Sequence, residues 1–429
     1  MGTIDASGAY RQSEDFGPDE KPRYVAYKPH KHAQLRVGRL TGGLYGGRDS
    51  GMRWYKTYAK YFTELGFIRG ENDKSVFYHP ETHVRIATHV DDSLVRGPKT
   101  AVAELFAKLK AKFIHHEEKY VHEDGGVYFL GMRITETVED GVTWRHMDQQ
   151  RDIEELLEQH GFDMARSVAG PNTTVPMPNK YLIDSDDTEL TPVEQSEYRS
   201  IVGSLQYFVC GTQWHLAHPV ARLGQFNAKA TKGVRKQLDQ LLAYLSGHAD
   251  SKISGPVLKT TTWEVYSDSD HAGDRSTGTR SHTGVVTLCN GAPVQWRSNK
   301  QPVTSVSSAQ AEIYAMAEAA RDARLSAWKS EEMGCEKRRP IEIQVDNSAG
   351  IVFQAKMNPA SKLKGMIDLR WNWVRELQDA GEIKAIKVCG TENVADLLTK
   401  CLGRSVFNKL LNIPREKAME LIKQSRTKD

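Results

Sequence analysis

The sequence predicts a mixed protein of the α/β and α+β classes, built from more than one domain. At 429 residues the chain is too long for one hydrophobic core, which suggests two to four domains. Short apolar runs bounded by turn residues alternate with amphipathic segments in the first and last thirds, whereas the middle is helical in pattern. Strands interleaved with helices are typical of these fold classes.

Composition limits the class of protein. The hydrophobic share of 39% and the charged share of 26% are ordinary for globular proteins. A formal net charge of +3 permits nucleic-acid binding without arguing for it. The five cysteines include no CxxC pair, which excludes a disulfide framework and a zinc-binding spacing. No apolar run approaches the ~20 residues that span a bilayer, and no signal peptide is visible.

The first 148 residues are predicted to contain two helices and two β-hairpins. Apolar side chains recur at helical spacing in two segments, and alternating runs flank turn residues in two others. The predicted elements are a helix over 54–65 that ends at Gly66, a hairpin over 75–90 followed by Asp91-Asp92, a helix over 100–113, and a hairpin over 127–148 that turns at Glu139-Asp140-Gly141.

The rest of the chain is predicted to be helical up to about His248 and α/β beyond Trp263. The stretch 170–192, rich in Pro, Asn and Thr, predicts a loop or linker. The predicted elements after it are three strands between 263 and 298, a helix over 308–333, a strand at 341–345, a helix near 367–379, a strand at 382–388 and a helix that opens near Asn393.

Four acids stand at the element boundaries of this last region. Asp268 follows a strand, Glu312 lies in the first turns of a helix, Asp346 ends a strand and Asp396 lies at a helix start. Acids at strand ends and helix starts converge at one edge of a sheet, where open α/β sheets bind ligands. Any one such acid is more often a helix cap than a metal ligand. The four in this order favour a metal site.

Clustered carboxylates repel one another unless cations are present. Hard oxygen ligands favour Mg²⁺ or Mn²⁺. Two such ions roughly 4 Å apart can activate a water and stabilise the leaving oxygen of a phosphodiester. The four acids therefore predict a divalent-metal site that could support this chemistry.

The residues around these acids resemble the ribonuclease H (RNase H) domain of copia-type long-terminal-repeat retrotransposons. The segments that carry the resemblance are SDSDHAGD, QWRSNKQPVTSVSSAQAEIYAM, VDNSAGI and ENVADLLTK. The most specific motif is matched by Trp296, Ser298, Lys300, Gln301, Ser307, Ser308, Ala311 and Glu312. The resemblance implies that Asp268, Glu312, Asp346 and Asp396 bind the metal ions. Asp270 and Asp274 are secondary candidates, and Met366 stands where the family carries a histidine.

A second acidic group lies in the first third. Asp91 and Asp92 sit side by side at a hairpin between apolar flanks, which suggests cation binding or an exposed polar turn. The resemblance extends here through DASGAY, LTGGLYGGRDSGMRWY, HVDDSLV, YFLGMRI and YRSIVGSLQYFV, which look like a copia-type reverse transcriptase palm and thumb. It implies that Asp5, Asp91 and Asp92 hold two Mg²⁺ ions and that Tyr10 lies under the sugar of the incoming nucleotide.

Three departures from the family pattern accompany this resemblance. His89 replaces a tyrosine, and Asp49 replaces a glutamine that packs on the incoming nucleotide, where a carboxylate would repel a triphosphate. The fingers subdomain is expected to be missing, because the sequence begins four residues before Asp5.

The resemblance therefore predicts a fragment of a retrotransposon polyprotein, with a palm at 1–148, a helical thumb or connection at 149–260, an RNase H domain at 261–405 and a tail at 406–429. The implied activities are RNA-templated DNA synthesis and cleavage of the RNA strand of RNA–DNA hybrids, with two Mg²⁺ or Mn²⁺ ions per active site. The implied partners are an RNA template, a DNA primer, deoxynucleoside triphosphates (dNTPs), hybrids and other polyprotein products. The expected location is a cytoplasmic particle and the nucleus. Two alternatives stay open, a protein with a working nuclease only and a non-catalytic nucleic-acid-binding protein.

Overall fold

The structure is a computed structural model that describes residues 1–123, 125–162, 174–177, 186–273, 278–336, 339–346 and 369–427. The chain divides into two compact units. Unit 1 comprises Met1–Thr135 and Trp328–Cys335, and unit 2 comprises Glu136–Ala327 and Glu336–Asp429. Both units combine strands with helices, which confirms the predicted mixed class. The four-part division predicted from the sequence stays a prediction.

Unit 1 contains a six-stranded antiparallel sheet in the order β4-β5-β6-β7-β1-β8 and a separate two-stranded ribbon, β2–β3. Its strands are β1 (Gly2–Asp5), β2 (Arg23–Tyr27), β3 (Arg36–Leu40), β4 (Ile68–Arg69), β5 (Val76–Tyr78), β6 (Arg85–His89), β7 (Asp92–Arg96), β8 (Lys119–Tyr120), β9 (Val127–Phe129) and β10 (Met132–Glu139), which continues into unit 2. Its helices are α1 (Ser50–Glu64), α2 (Lys99–Lys112) and a 3₁₀ turn at Ala9–Gln12.

Apolar periodicity explains the helices of unit 1. Trp54, Tyr58 and Phe62 recur every fourth residue of α1 and are buried against the sheet. The helix ends where Gly66 adopts a φ of 91°, a conformation that glycine tolerates without strain. Both predicted helices and the hairpin before Asp91 are therefore confirmed.

Unit 2 contains a five-stranded mixed sheet in the order β15-β14-β13-β16-β17. Its strands are β11 (Val142–Asp148), β12 (Ile253–Pro256), β13 (Trp263–Asp270), β14 (His282–Cys289), β15 (Ala292–Lys300), β16 (Ile341–Val345) and β17 (Ile383–Lys387). Its helices are α3 (Gln150–Gln159), α4 (Pro192–Gly211), α5 (Ala217–Gly224), α6 (Lys232–Ser246), α7 (Ser308–Glu332, with its last turns in unit 1), α8 (Leu369–Asp379), α9 (Arg404–Arg426) and 3₁₀ turns at Trp214–Leu216, Gly390–Glu392 and Val394–Leu398.

Both faces of this sheet are buried. Val265 and Val285 face a cluster that includes the alanines of α7, whereas Tyr266 and Val286 face a cluster that includes the cores of α3 to α6. Alternate residues of a strand point to opposite faces, so β13 and β14 contribute to two hydrophobic cores at once. The sheet is therefore packed between two layers of helices. Its faces are covered, so a site can form only at the ends of its strands.

Two elements of unit 2 were not predicted. Strand β12 pairs with β11, and residues predicted as a tail form helix α9, in which Phe407, Leu410 and Ile413 are buried. The loop predicted over 170–192 lies mostly outside the described residues. Where description resumes, Thr191 caps α4 through a reciprocal pair of hydrogen bonds with Glu194. Among the described helices none is long and apolar enough to cross a membrane.

Candidate functional site

Strands β13 and β16 position the first two acids. They run parallel, with Ser267 opposite Val345, so that Asp268 and Asp346 follow at neighbouring positions on adjacent strands. Asp268 is 1% exposed although it is charged at neutral pH in solution. Burying a carboxylate is costly without a partner, and the partners of Asp268 therefore indicate how the site works.

Helix α7 supplies the third acid. The buried Gln301 donates to the Ala311 carbonyl (2.9 Å) and to Thr283 Oγ1 (3.1 Å), which ties the first turn of α7 to β14. This contact places Glu312 beside the strand ends. Ligand oxygens of Asp268, Glu312 and Asp346, hereafter the Asp268 cluster, all lie within 4.8 Å of one another.

The fourth acid, Asp396, lies in the 3₁₀ turn Val394–Leu398 rather than at the start of an α-helix. Asn393 fixes this turn, because its side chain accepts a hydrogen bond from Ala395 N (3.2 Å) and donates one to Ser267 O (3.0 Å). The turn is therefore bound directly to the strand that carries Asp268. Asp396 itself is buried.

Two residues after this turn complete the site and were missed in the sequence. Lys400 Nζ lies 3.2 Å from Asp268 Oδ1 and 2.8 Å from Asp396 Oδ1. Thr399 Oγ1 donates to the other oxygen of Asp268. The spacing of Asp396 and Lys400, four residues apart, was the available signal, because such pairs often meet in helical segments.

A glycine makes this arrangement possible. Gly284 on β14 is the Cα partner of Asp268. A Cβ atom at Gly284 would lie 2.7 Å from Thr399 Cγ2, 2.8 Å from Ala395 O and 2.9 Å from Leu398 Cβ. Such contacts are too short for carbon. The absent side chain therefore lets the 3₁₀ turn approach the sheet.

The acids of the site disfavour one another's charged form. Burial, followed by the charges of Asp268 and Asp346, raises the pKa of Glu312 to about 8. Burial and the charge of Asp268 also raise the pKa of Asp346 and bring that of Asp396 to about 7. Burial lowers the pKa of Lys400, but the charges of Asp268 and Asp396 together raise it by more, so that the net shift is upward. Ionising all the acids of the site is therefore unfavourable without bound cations, which would offset their repulsion.

The residues of the site fit divalent cations. With all four carboxylates ionised, the site would carry three negative charges more than the one ammonium offsets, and every candidate ligand atom is a hard oxygen. Mg²⁺ and Mn²⁺ prefer such ligands. The remaining candidates give less information: Asp270 ends β13, and Asp274 and Met366 lie outside the described residues.

The acids of unit 1 lie on two adjacent strands. Asp5 on β1 is the Cα partner of Asp92 on β7, and Asp91 precedes it in the turn. Burial raises the pKa of Asp92 to about 6, with further contributions from the charges of Asp5 and Asp91 and an opposing hydrogen bond from the Leu130 backbone. Asp5 and Asp92 therefore interact electrostatically.

Side chains of helix α1 contact this acidic turn. Trp54 Nε1 donates to Val90 O (2.5 Å), and Val90 has a φ of 55° that a tight turn requires. Tyr58 stacks on Trp54 at 4.7 Å, and its hydroxyl lies 3.4 Å from Ser93 Oγ. The aromatic residues of α1 thus contact the turn that carries Asp91 and Asp92 on its core side, whereas Val90 itself stays exposed.

Asp49 is neutralised by two arginines. Its carboxylate accepts hydrogen bonds from Arg23 Nη1 (2.6 Å) and Arg53 Nε (2.8 Å), which lower its pKa. The repulsion expected between Asp49 and a triphosphate is therefore reduced, because the charge is already paired. Tyr10 lies in the 3₁₀ turn near this pair, with its ring 4.7 Å from that of Tyr45.

Within the described residues, the Asp268 cluster is the one group of three or more acidic, His or Cys side chains whose ligand atoms all lie within 4.8 Å. Asp396 adjoins it through Lys400, whereas Asp5, Asp91 and Asp92 form no such group. The roles predicted for all seven acids and for Tyr10 stay predictions.

Comparison with known proteins identifies relatives over nearly the whole chain. The retrovirus-related Pol polyprotein from transposon RE1 of Arabidopsis thaliana is 28% identical over 410 residues, which is 95% of this chain. The corresponding polyprotein from transposon TNT 1-94 of Nicotiana tabacum is 26% identical over 397 residues, or 90% of this chain. The homologues of this chain are copia-type transposon Pol polyproteins. The resemblance stated from the sequence is confirmed.

The chain spans about a quarter of the length of these Pol polyproteins, 26% for RE1 and 28% for TNT 1-94. No family model matches it. The protease-reverse transcriptase of Prototype Foamy Virus aligns with 93% of this chain and 44% of its own at 11% identity, with a TM-score of 0.22. A score this low does not indicate a shared fold, so the architecture rests on the elements described above.

Proposed function

We propose that unit 2 hydrolyses the RNA strand of RNA–DNA hybrids by two-metal-ion catalysis, as an RNase H. The observation that carries the proposal is the convergence of the Asp268 cluster at adjacent ends of β13 and β16. Kinship with Pol polyproteins makes a nucleic acid the natural substrate. A hybrid is recognised through its backbone and 2′-hydroxyls more than through its bases.

Each residue of the site has a role in this proposal. Asp268, Glu312, Asp346 and Asp396 would hold Mg²⁺ or Mn²⁺. When bound, such ions supply an activated water and stabilise the leaving oxygen. Thr399 orients Asp268 by donating to one of its oxygens, and Lys400 offsets the charge of Asp268 and Asp396. Burial of Asp268 keeps its orientation fixed.

Hydrolysis of a labelled hybrid with Mg²⁺ or Mn²⁺ tests this function. Asp346→Asn keeps the shape of the side chain and removes a charge, so the cleavage rate should fall at least 100-fold. The matched control is Asp379→Asn, an exposed acid at the end of α8 that pairs with Arg375. Cleavage that survives Asp346→Asn would contradict the four-acid assignment.

We also propose that unit 1 derives from a reverse transcriptase palm, with Asp5, Asp91 and Asp92 as ligands of two Mg²⁺ ions and Tyr10 under the nucleotide sugar. The pairing of Asp5 with Asp92 across β1 and β7 favours this assignment. The thumb and RNase H regions would follow at about 149–260 and 261–405. The substrates would be dNTPs, a DNA primer and an RNA template.

Primer extension on a poly(rA) template separates the alternatives. Extension that Asp92→Asn abolishes would support polymerase activity. Hybrid cleavage without extension would restrict catalysis to unit 2, and tight hybrid binding without either reaction would favour a non-catalytic binding protein. A role beside other polyprotein products, in cytoplasmic particles or the nucleus, belongs to this proposal.

A further inference from the structure

The two-stranded ribbon of unit 1 carries an unusual concentration of positive charge. Residues 21–48 contain seven lysines and arginines and no acid, although the whole chain has a formal net charge of only +3. The rest of the chain is therefore net negative. We call residues 21–40, which include β2, β3 and the loop between them, the basic ribbon. It contains none of the proposed catalytic acids.

The basic ribbon is anchored at one end and exposed elsewhere. Arg23 pairs with Asp49 and lies over the ring of Phe16, 4.7 Å from its centroid. Seven of the ten residues of the two strands are exposed and the other three are half-buried, and Val37 retains 68% of its accessible surface. A two-stranded ribbon with two solvated faces buries little apolar surface and gains little stability from its own packing. Its exposed charges are therefore accessible to a binding partner.

Beyond the anchored end of the ribbon, four cations have no ion pair in the part of the chain that the structure describes. They are Lys28, Lys31, Arg36 and Arg39, which lie on β3 and in the loop between the strands. Lysines elsewhere on the surface of unit 1 are often paired, as Lys60 is with Glu14 and Lys110 with Glu118. Exposed cations without acids nearby create a positive potential that attracts polyanions.

Two tyrosines lie among these cations. Tyr24 is 64% exposed and Tyr27 is 45% exposed. Being three residues apart on a strand, they project from opposite faces. Tyr24 is the cross-strand partner of Arg39, and Tyr27 is that of Arg36, so each tyrosine lies opposite an arginine of the other strand. The ring of Tyr27 lies next to Gly38 of β3, because a Cβ atom added to Gly38 would be 3.5 Å from Tyr27 Cε1.

We propose that the basic ribbon is a docking surface for single-stranded nucleic acid. Cations beside exposed aromatic rings match the chemistry of a single strand, whose phosphates need positive charge and whose unstacked bases need flat partners. A protein partner would more often bury apolar or paired groups at its centre. This surface goes beyond the proposed catalysis, because binding here requires neither acid site to be active.

The test is binding of fluorescein-labelled 20-nucleotide oligo(dT) and oligo(rU) to the full chain, measured by fluorescence anisotropy in EDTA at several salt concentrations. EDTA removes divalent ions, so failure of catalysis cannot affect the result. The logarithm of affinity should fall linearly with the logarithm of salt concentration, with a slope of about −0.7 per phosphate contact. Replacing Lys28, Lys31, Arg36 and Arg39 by glutamine should make this slope less steep by about 2 to 3, because phosphate contacts are lost.

The matched control neutralises four exposed lysines of unit 1 outside the ribbon, Lys56, Lys74, Lys108 and Lys119. It should leave the slope nearly unchanged. Tyr24→Ala and Tyr27→Ala should each weaken binding about 5- to 100-fold at constant slope, because a stacked base is lost while the phosphate contacts remain. Tyr207→Ala, an exposed tyrosine of α4, is the control for these variants.

Equal salt slopes for the ribbon variant and the lysine control would overturn the proposal. So would binding that prefers duplexes of equal length and ignores both tyrosines. Concentration-dependent self-association that Val37→Lys abolishes, with oligonucleotide affinity unchanged by the charge variant, would assign the ribbon to a second copy of the chain. Circular dichroism checks that each variant is folded, and the exposure of the ribbon makes this the expected result.

Discussion

One ammonium group lies between two of the four acids that gather at the sheet edge of unit 2. Lys400 contacts both Asp268 and Asp396, and its side chain is partly exposed while that of Asp268 is almost fully buried. Cation binding there would compete with this ammonium for the same oxygens. Lys400 therefore stabilises the site when no metal is bound and lowers its affinity for metal.

Replacing Lys400 by methionine should separate these two effects. Without metal, the variant should lose about 1–3 kcal/mol of unfolding free energy, because buried acceptors lose a charged donor. Its melting temperature should rise more with added Mn²⁺ than that of the native chain, because the uncompensated negative charge is larger. Thermal unfolding in EDTA and in a Mn²⁺ titration measures both quantities.

The control for this variant is Lys409→Met, since Lys409 pairs with the exposed Glu392. Exposed pairs contribute roughly 0–1 kcal/mol, so its stability should change little and its Mn²⁺ response should match the native chain. A Lys400→Met variant with native stability in EDTA would show that the ammonium does not stabilise the metal-free site.

At the scale of elements, the site depends on how closely the 3₁₀ turn Val394–Leu398 packs on β14. Gly284 is where β14 contacts this 3₁₀ turn, and the turn carries Asp396. The geometry of the acids thus depends on a residue with no side chain. A substitution there changes the packing without altering any charge.

Gly284→Ala should destabilise unit 2 by about 1–3 kcal/mol, because the added methyl overlaps backbone and side-chain atoms of the turn. It should also lower hydrolysis at least tenfold by displacing Asp396 and Lys400. Gly203→Ala is the control: an added Cβ there meets nothing within 4 Å, and alanine in the exposed interior of α4 should stabilise by about 0.5–1 kcal/mol. Urea unfolding and hybrid cleavage measure both variants.

Local patterns predicted most of the elements and fewer of the contacts. The spacing of Trp54, Tyr58 and Phe62 sufficed for α1, because one face of a surface helix must be apolar. Helix α9 was missed although Phe407 and Leu410 follow the same rule. The pairing of Asp49 with Arg23 and Arg53 was missed because the position of Arg23, 26 residues away in sequence, follows from the path of the ribbon rather than from local periodicity.

The site shows the same division. Asp268, Glu312 and Asp346 could be placed at one sheet edge because strand ends of an α/β layout meet there. The role of Lys400 could not be predicted in this way. It depends on the hydrogen bond between Asn393 and Ser267, which are 126 residues apart in sequence and which hold the 3₁₀ turn against the sheet.

At the scale of the whole molecule, the larger of the hydrophobic cores of unit 2 combines distant parts of the sequence. It combines residues of α4 to α6, such as Leu205 and Leu241, with Tyr266 and Leu288 of the sheet and Leu410 of α9. Helices predicted as a thumb or connection therefore pack in the same core as strands of the five-stranded sheet. We expect these parts of unit 2 to unfold together.

Buried histidines in this core make its stability depend on pH. Burial, followed by the charge of His248, lowers the pKa of His215 to about 3, against about 6.5 in an unfolded chain. Because the folded pKa is depressed, the unfolded state binds more protons, and stability present above pH 6.5 is lost as pH falls toward 3. Burial also lowers the pKa of His218, so the effect has more than one source.

His215→Gln should remove about 1.4 kcal/mol per pH unit from the dependence of unfolding free energy on pH between 6 and 4.5. Urea unfolding at several pH values measures this slope. The control is His32→Gln in the exposed loop of the basic ribbon, which should keep the native slope. A native slope in the His215 variant would contradict a neutral buried imidazole.

The close packing at Gly284 also has a genetic consequence. Every missense change of a glycine codon introduces a side chain, and each such side chain adds atoms where the turn leaves no room. Under the proposed function, related sequences that still rely on hybrid hydrolysis should therefore keep glycine at this position, whereas sequences released from that requirement should not.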